Sequence, residues 1–190
     1  MTLYLLRHGE TLWNTQSRFQ GQLDSPLTPT GIAQADLAAR RLAEEIPNPD
    51  CFELHISPLG RARQTAARVA AFIPLPAKEE ARLIEVTIGS WDGMTLYEID
   101  QEHPGALDGT DAFDWYFRSP DGETFEQICA RAKSWLADTV STPTIAISHG
   151  LTGRIIRGVY LGLSRREVLT LPVPQNGFYR LEAGRADFIE

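Results

Sequence analysis

The stretch Leu3-Tyr4-Leu5-Leu6-Arg7-His8-Gly9-Glu10-Thr11 decides the fold. Four apolar residues run without a polar break, the pattern of a strand buried on both faces of a sheet. The chemistry then switches at once to Arg-His-Gly-Glu-Thr. In an α/β sheet, ligands bind at the carboxyl ends of strands, where the loops open onto a crevice. Arg7 brings a permanent cation with a fork of donors suited to phosphate or carboxylate. His8 is a nucleophile or base near neutral pH, and Gly9 lets the backbone leave the strand sharply. The plainer alternative is a strand end carrying an Arg7–Glu10 salt bridge.

Two further stretches repeat the switch. Phe52 to Ser57 is a short strand followed by Ser57-Pro58-Leu59-Gly60-Arg61-Ala62-Arg63. A helix from about Leu59 to Phe72 puts Arg61 in its first turn, where free N–H groups and the helix dipole favour an anion; Arg63 is assigned to the solvated face. Thr144-Ile145-Ala146-Ile147-Ser148 is a third buried-type strand, ending in His149-Gly150 ahead of a helix to about Leu161. Between the first two strands, Thr28 and Pro29 read as N-cap and first position of a helix that buries Ile32, Ala35, Leu42 and Ile46. Strands joined through helices make a parallel sheet with right-handed crossovers. If the three strands are neighbours, two histidines and two arginines meet at one spot.

The remaining pieces fit one domain over residues 1–190, an α/β/α sandwich on a mostly parallel sheet. Trp13 to Pro26 reads as a polar loop, and Phe125 to Leu136 as an amphipathic helix. Gly177 to Leu181 reads as a last strand, paired with Phe188-Ile189. Residues 94–124 lack a firm period and read as an inserted lid, with a helix over Leu96 to Glu102. Its Phe113, Trp115, Tyr116 and Phe117 are expected mostly to be its own small core. His55 reads as a core or sheet-face histidine, and His103 as solvent-exposed.

Composition narrows the partners. Hydrophobic content is 43%, charged content 23% and formal net charge −7 over 190 residues. That charge gives non-specific nucleic-acid binding no support, and an anionic ligand would need a local basic pocket. Cys51 and Cys129 are expected to be buried free thiols. No leader-like or membrane-length apolar segment is evident, so the expected compartment is the cytoplasm and no membrane partner is expected. The sequence carries no signal of oligomeric state.

These motifs, in this order, resemble the histidine phosphatase superfamily, which includes cofactor-dependent phosphoglycerate mutase. The resemblance runs through Arg7-His8-Gly9-Glu10-Thr11 with Asn14, Gln20-Gly21, Asp24-Ser25-Pro26-Leu27-Thr28, Gly31 to Ala35 and Ser57 to Ala66. It continues through Leu83-Ile84-Glu85, Gly89 to Gly93, Pro120 to Thr124, and Ser148-His149-Gly150 with Arg154. Leu151 departs from the small or polar residue that many relatives carry. The resemblance implies that His8 is phosphorylated, that Arg7, Arg61 and His149 hold the phosphoryl oxygens, that Asn14 adds a hydrogen bond and that Glu85 handles the proton. Gln20, Gly21 and Gly150 join the implied phosphate-binding set. Glu85 has an alternative as a structural ion pair with Arg7 or Arg61.

The chemistry agrees with that assignment, because phosphoryl transfer needs positioned positive charge and an in-line nucleophile. The expected substrate is a small-molecule phosphate ester. No cofactor is expected, and no metal either, since Arg7 and Arg61 would repel a dication. Hydrolysis is favoured over mutase transfer. A mutase must seal the phosphoenzyme from water and grip a second anion, whereas this lid holds one basic residue, Arg118, against Asp100, Glu102, Asp108, Asp111, Asp114, Asp121 and Glu123. Mutases of the family are also typically longer chains. A silent phosphate-binding module is the remaining rival.

Overall fold

Three parallel strands stand side by side at the centre of the molecule and end at one level. In the computed structural model, which describes residues 1–110 and 113–190, these are β1 (Thr2–Arg7), β2 (Glu53–Ile56) and, later in the chain, a strand over Thr144–Ser148. With β3 (Ala77–Glu79) between them in sequence, that strand is β4, and β5 (Phe178–Glu182) and β6 (Arg185–Ile189) complete the sheet. The order is β3-β2-β4-β1-β5-β6, parallel from β3 to β1 and antiparallel across β5 and β6. Arg7 pairs with Ser148 and Ile56 with Ile147. The bonds His8 N–H to Ser148 O (3.0 Å) and Ser57 N–H to Ile147 O (2.9 Å) carry both ladders one residue further.

Each face of the sheet carries its own core, because strand side chains alternate. Leu3, Leu5 and Ala146 point to one side, against α5 (Phe125–Asp138) and α6 (Gly150–Leu161), where Ile128, Trp135, Leu151 and Ile155 are buried. Tyr4, Leu6, Ile145 and Ile147 point to the other, against α2 (Pro29–Glu45) and α3 (Gly60–Ala70), with Leu42, Ala62, Ala66 and Val69. This is the three-layer α/β/α arrangement read from the strands. Among the described residues no helix is long and apolar enough to cross a membrane.

Several local readings need correction. Ile32 is 40% exposed; the buried face of α2 is Gly31, Ala35, Ala38, Ala39 and Leu42. Small side chains there let α2 lie close to the sheet, and Ile32 falls outside that stripe. Cys51 is exposed on a short 3-10 turn rather than buried, and Cys129 is partly buried. The polar loop after β1 begins as a one-turn helix, α1 (Leu12–Thr15), closed by a Thr11–Asn14 capping box. Two pieces were not foreseen: the exposed strand β3 and the helix α7 (Arg165–Thr170). His103 is partly buried against the Trp91 ring, 5.5 Å between centroids.

The lid contains α4 (Leu96–Glu102) and packs on a small core of Ile88, Trp91, Ile99 and Trp115. Its aromatics divide. Trp115 belongs to that core, and Phe117 meets Phe125 of the main core edge-on at 5.5 Å. Phe113 and Tyr116 line a cleft instead. Asp111, counted above with the lid acids, lies outside the described residues.

Candidate active site

His8 sits just past the end of β1 and is 3% exposed. Its Nδ1 lies 2.8 Å from the Gly9 carbonyl oxygen, and Arg61 Nε is 3.2 Å from its Nε2. The carbonyl can only accept, so Nδ1 carries the proton and Nε2 presents a lone pair. Burial, with the Arg61 and Arg7 cations beside it, holds the His8 pKa well below the ordinary histidine range. The ring is therefore neutral at pH 7, the state a nucleophile needs. Gly9 reaches this position because the backbone passes tightly over the start of α2. A Cβ at Gly9 would strike the Gly31 carbonyl, and one at Gly31 would strike the Glu10 carbonyl.

Arg61, 1% exposed, is held from every side. Its Nη1 donates to Leu23 O (2.7 Å) and Asp24 Oδ1 (3.1 Å), and its Nη2 to Gly21 O (2.9 Å). Asp24 also accepts from the backbone N–H groups of Gly60 and Arg61. The N-cap of α3, Leu59, has no capping side chain, so a carboxylate from another loop does that work while orienting the arginine. Asp24, which holds Arg61 in place, is a residue that sequence reading placed in a motif but gave no role. The signal was present: an N-terminus without a local cap needs an acceptor from elsewhere.

Arg7 donates from Nη1 to Val173 O (2.6 Å), and its Nε is buried with no partner among the described residues. No Arg7–Glu10 salt bridge forms; Glu10 instead accepts from the Thr28 hydroxyl at 2.7 Å. His149 is 1% exposed, its ring centroid 5.2 Å from that of His8. Its Nε2 meets Ser57 Oγ at 2.6 Å, and its Nδ1 is buried without a partner among the described residues. Burial first, then Arg61, His8 and Arg7, push its pKa well down too. Ser57, at the end of β2, thus joins the end of β4 by a side-chain bond that sequence reading missed.

Glu85 makes no ion pair with Arg7 or Arg61 among the described residues. Its Oε1 accepts from the N–H groups of Val86 and Thr152 (both 2.9 Å) and from Thr152 Oγ1 (3.0 Å). Its Oε2 accepts only from Leu151 N–H, at 3.2 Å. The carboxyl is anchored on the first turn of α6 through one oxygen, which leaves the other available to a proton. Leu151, the departure from the family pattern, contributes a backbone N–H that any residue but proline could supply.

Arg7, His8, Asn14, Gln20, Gly21, Arg61, Glu85 and Gly150 line one cleft of about 290 Å³. His149 is set behind it, lining a smaller cavity with Arg7 and Gly150. Asn14 Oδ1 is engaged by Thr11 N–H and Gln175 Nε2, which leaves its amide N–H groups without a partner among the described residues. Gln20 spends its amide on Thr11 and Ser25, so it shapes the wall. The outer half of the cleft holds Arg18, Phe19, Phe113, Tyr116 and Arg154. Among the described residues no group of histidines, cysteines and carboxylates could hold a metal ion.

A pinned, neutral histidine thus stands among arginines at converging strand ends. The family model of the histidine phosphatase superfamily, branch 1, matches residues 3–189, and the chain belongs to that superfamily. A "Probable phosphoglycerate mutase GpmB" of Yersinia pestis is 33% identical over 171 residues, covering 86% of this chain and 76% of its own. A mycobacterial glucosyl-3-phosphoglycerate phosphatase, solved with vanadate, superposes with a TM-score of 0.82 at 28% identity, covering 98% of this chain and 97% of that one. YhfR of Bacillus stearothermophilus superposes at 0.83 with 27% identity, covering 98% and 94%. Phosphoryl transfer is the chemistry of the group, so the protein is a phosphoryl-transferring enzyme.

Proposed function

We propose that the protein hydrolyses small-molecule phosphate monoesters through a phosphohistidine formed on His8. The carrying observation is the pinned, neutral imidazole, with Nδ1–H on Gly9 O and Nε2 unprotonated beside Arg61. Nε2 attacks phosphorus, the P–O bond to the alcohol breaks, and the leaving oxygen takes a proton from Glu85 Oε2. Water then attacks the phosphohistidine, giving its proton to Glu85 as the P–N bond breaks, and phosphate leaves. Arg7, Arg61, Asn14 and His149 carry donors for the phosphoryl oxygens, where charge accumulates in the transition state. Rapid quench with labelled substrate is expected to trap an acid-labile, base-stable adduct on His8. Near-normal turnover by His8→Ala would overturn the reading.

Hydrolysis rather than transfer is supported by the lid. Among the described residues it gives the cleft only Phe113 and Tyr116, and its one basic residue, Arg118, bonds the Asp108 carbonyl instead. Two observations favour a mutase: Arg154 is a cation in the outer cleft, and the Yersinia relative carries a mutase name. Supplying 3-phosphoglycerate with catalytic 2,3-bisphosphoglycerate separates the two. Free phosphate should outrun the 2-phosphoglycerate isomer; faster isomer formation assigns the mutase reaction.

A further inference from the structure

Leu171-Pro172-Val173-Pro174-Gln175-Asn176, between α7 and β5, forms no helix or strand, yet it is fastened along its length. The Pro172 carbonyl accepts from Arg157 Nη2, the Val173 carbonyl accepts from Arg7 Nη1, and the Asn176 amide donates to Glu190. Pro172 and Pro174 fix φ and lack an N–H, which stiffens the strap and keeps it out of the sheet ladder. It borders the cleft at the His8 end, where Val173 is a lining residue with Arg7, His8 and Asn14.

Gln175 reaches from this strap to the nucleophile. The ladder between β1 and β5 ends at the Leu6–Phe178 pair, so the His8 carbonyl lies beyond it. There the Gln175 side chain takes over: its Nε2 donates to His8 O at 3.1 Å and to Asn14 Oδ1 at 3.3 Å. A primary amide nitrogen carries two N–H groups, one for each acceptor. The His8 carbonyl can only accept, so the Gln175 nitrogen must face it, and that same nitrogen meets the Asn14 side chain. Thr11 N–H donates to Asn14 Oδ1 as well, at 3.1 Å. With its oxygen held by two donors, Asn14 has its N–H groups left for the cleft that it lines. A flipped Asn14 would set Oδ1 against the phosphoryl oxygens, acceptor against acceptor. We propose that Gln175 is a positioning residue for phosphoryl binding, coupling the nucleophile's backbone to Asn14 and setting which end of the Asn14 amide meets the phosphoryl oxygens. Gln175 acts through these two groups; it is not itself among the residues that line the cleft. The inference rests on this cleft being the phosphoryl-transfer site proposed above, and holds whether the phosphoryl group passes to water or to a second hydroxyl.

The test reads binding rather than turnover. Inorganic phosphate is titrated by calorimetry, and the Asn14 side-chain amide is followed in ¹⁵N–¹H spectra, its signal assigned by Asn14→Ala. Gln175→Met keeps the length without the donors. It should weaken phosphate binding roughly three- to tenfold, the scale of a neutral hydrogen bond, and shift or broaden the Asn14 signal. Gln175→Glu has the same shape but sets an acceptor against His8 O and draws the Asn14 N–H groups toward itself, so it should bind phosphate more weakly still. In an Asn14→Ala background, Gln175→Met should cost less than about twofold, because the group it acts through is gone. Phosphate affinity and an Asn14 signal unchanged in Gln175→Met overturn the proposal. So does an equal loss with and without Asn14, which would make Gln175 a brace for the strap alone. If Gln175 and Asn14 show this coupling but no ester yields phosphate, hydrolysis fails while the positioning role stands. If esters are hydrolysed but the coupling is absent, only the positioning role falls. A wild type that binds no phosphate removes both.

Discussion

The two halves of the cleft are built by opposite means. The inner half is made at the ends of β1, β2 and β4, within a few residues of buried strands whose register is fixed by the sheet. Its side chains are locked: Arg61 by Leu23, Asp24 and Gly21, His8 by Gly9, and Glu85 by the first turn of α6. The outer half is assembled from distant segments, namely Phe19 before α2, Phe113 and Tyr116 of the lid, and Arg154 of α6. Rigid geometry is what transition-state stabilisation requires, since donors must already stand where charge will develop. Recognition of an alcohol needs only shape and a few polar groups, which loops on a scaffold supply. On the proposed function the chemistry belongs to the inner half and the choice of alcohol to the outer, so substitutions in the two halves should fail in different ways.

The sharpest way to break that contrast is to remove the nucleophile. His8→Ala should lower turnover by about 10⁴-fold or more on every ester, whatever the alcohol, because all share the same first step. Steady-state assays across a panel of esters measure this, and a loss confined to some alcohols would mean that the inner half is not common to all. Glu85→Gln comes next. It should cost roughly 10²–10⁴-fold on alkyl phosphates and far less on p-nitrophenyl phosphate, whose phenolate leaves without a proton. Equal losses on both would make Glu85 a mere anchor for the first turn of α6.

Legibility followed the same division. The strand ends could be read because a buried strand leaves an apolar run and its functional residues follow directly, as in Leu3–Leu6 before Arg7-His8. The start of α2 was legible from Thr28, whose hydroxyl caps Gly31 N–H at 3.0 Å, and Pro29. β3 was not, since all three of its residues are exposed and only the parallel ladder to β2 makes it a strand. α7 could have been found, because Ser164 and Glu167 form a capping box with the expected spacing. Bonds between distant segments leave no local pattern that names both partners: the uncapped start of α3 signals a missing acceptor without pointing to Asp24, and Ser57 to His149 leaves no signal at all. The same holds for the carbonyls of Leu169, Pro172 and Val173, which accept from Arg154, Arg157 and Arg7.

Asp24 tests whether the inner half owes its rigidity to such hidden bonds. Asp24→Asn keeps the size and one acceptor but removes the charge facing Arg61 and the start of α3. Turnover should fall roughly ten- to a hundred-fold, the scale of a lost charge-assisted hydrogen bond, with little discrimination among alcohols. A loss that depended strongly on the alcohol would show the two halves to be coupled.

The mildest effect concerns acid. His8 and His149 are both neutral and buried, with pKa values pushed well below the usual histidine range by burial and by the neighbouring arginines. In the unfolded chain both titrate near the ordinary value of about 6.5. Above that pH neither state binds the protons and folding is unaffected. Below it the unfolded chain takes them up while the folded protein refuses, so stability is lost as pH falls, by up to about 1.4 kcal/mol per pH unit for each histidine, until the folded pKa is reached. Thermal melts from pH 7.5 to 5 should therefore slope downward, and the slope should ease in His8→Asn, which cannot take up a proton. The acid limb of kcat/KM should lie well below pH 6.5, because the nucleophile stays neutral there. An activity limb near 6.5 in a protein whose melting temperature is flat would mean that the two rings titrate freely, and that the inner half is no more desolvated than the outer.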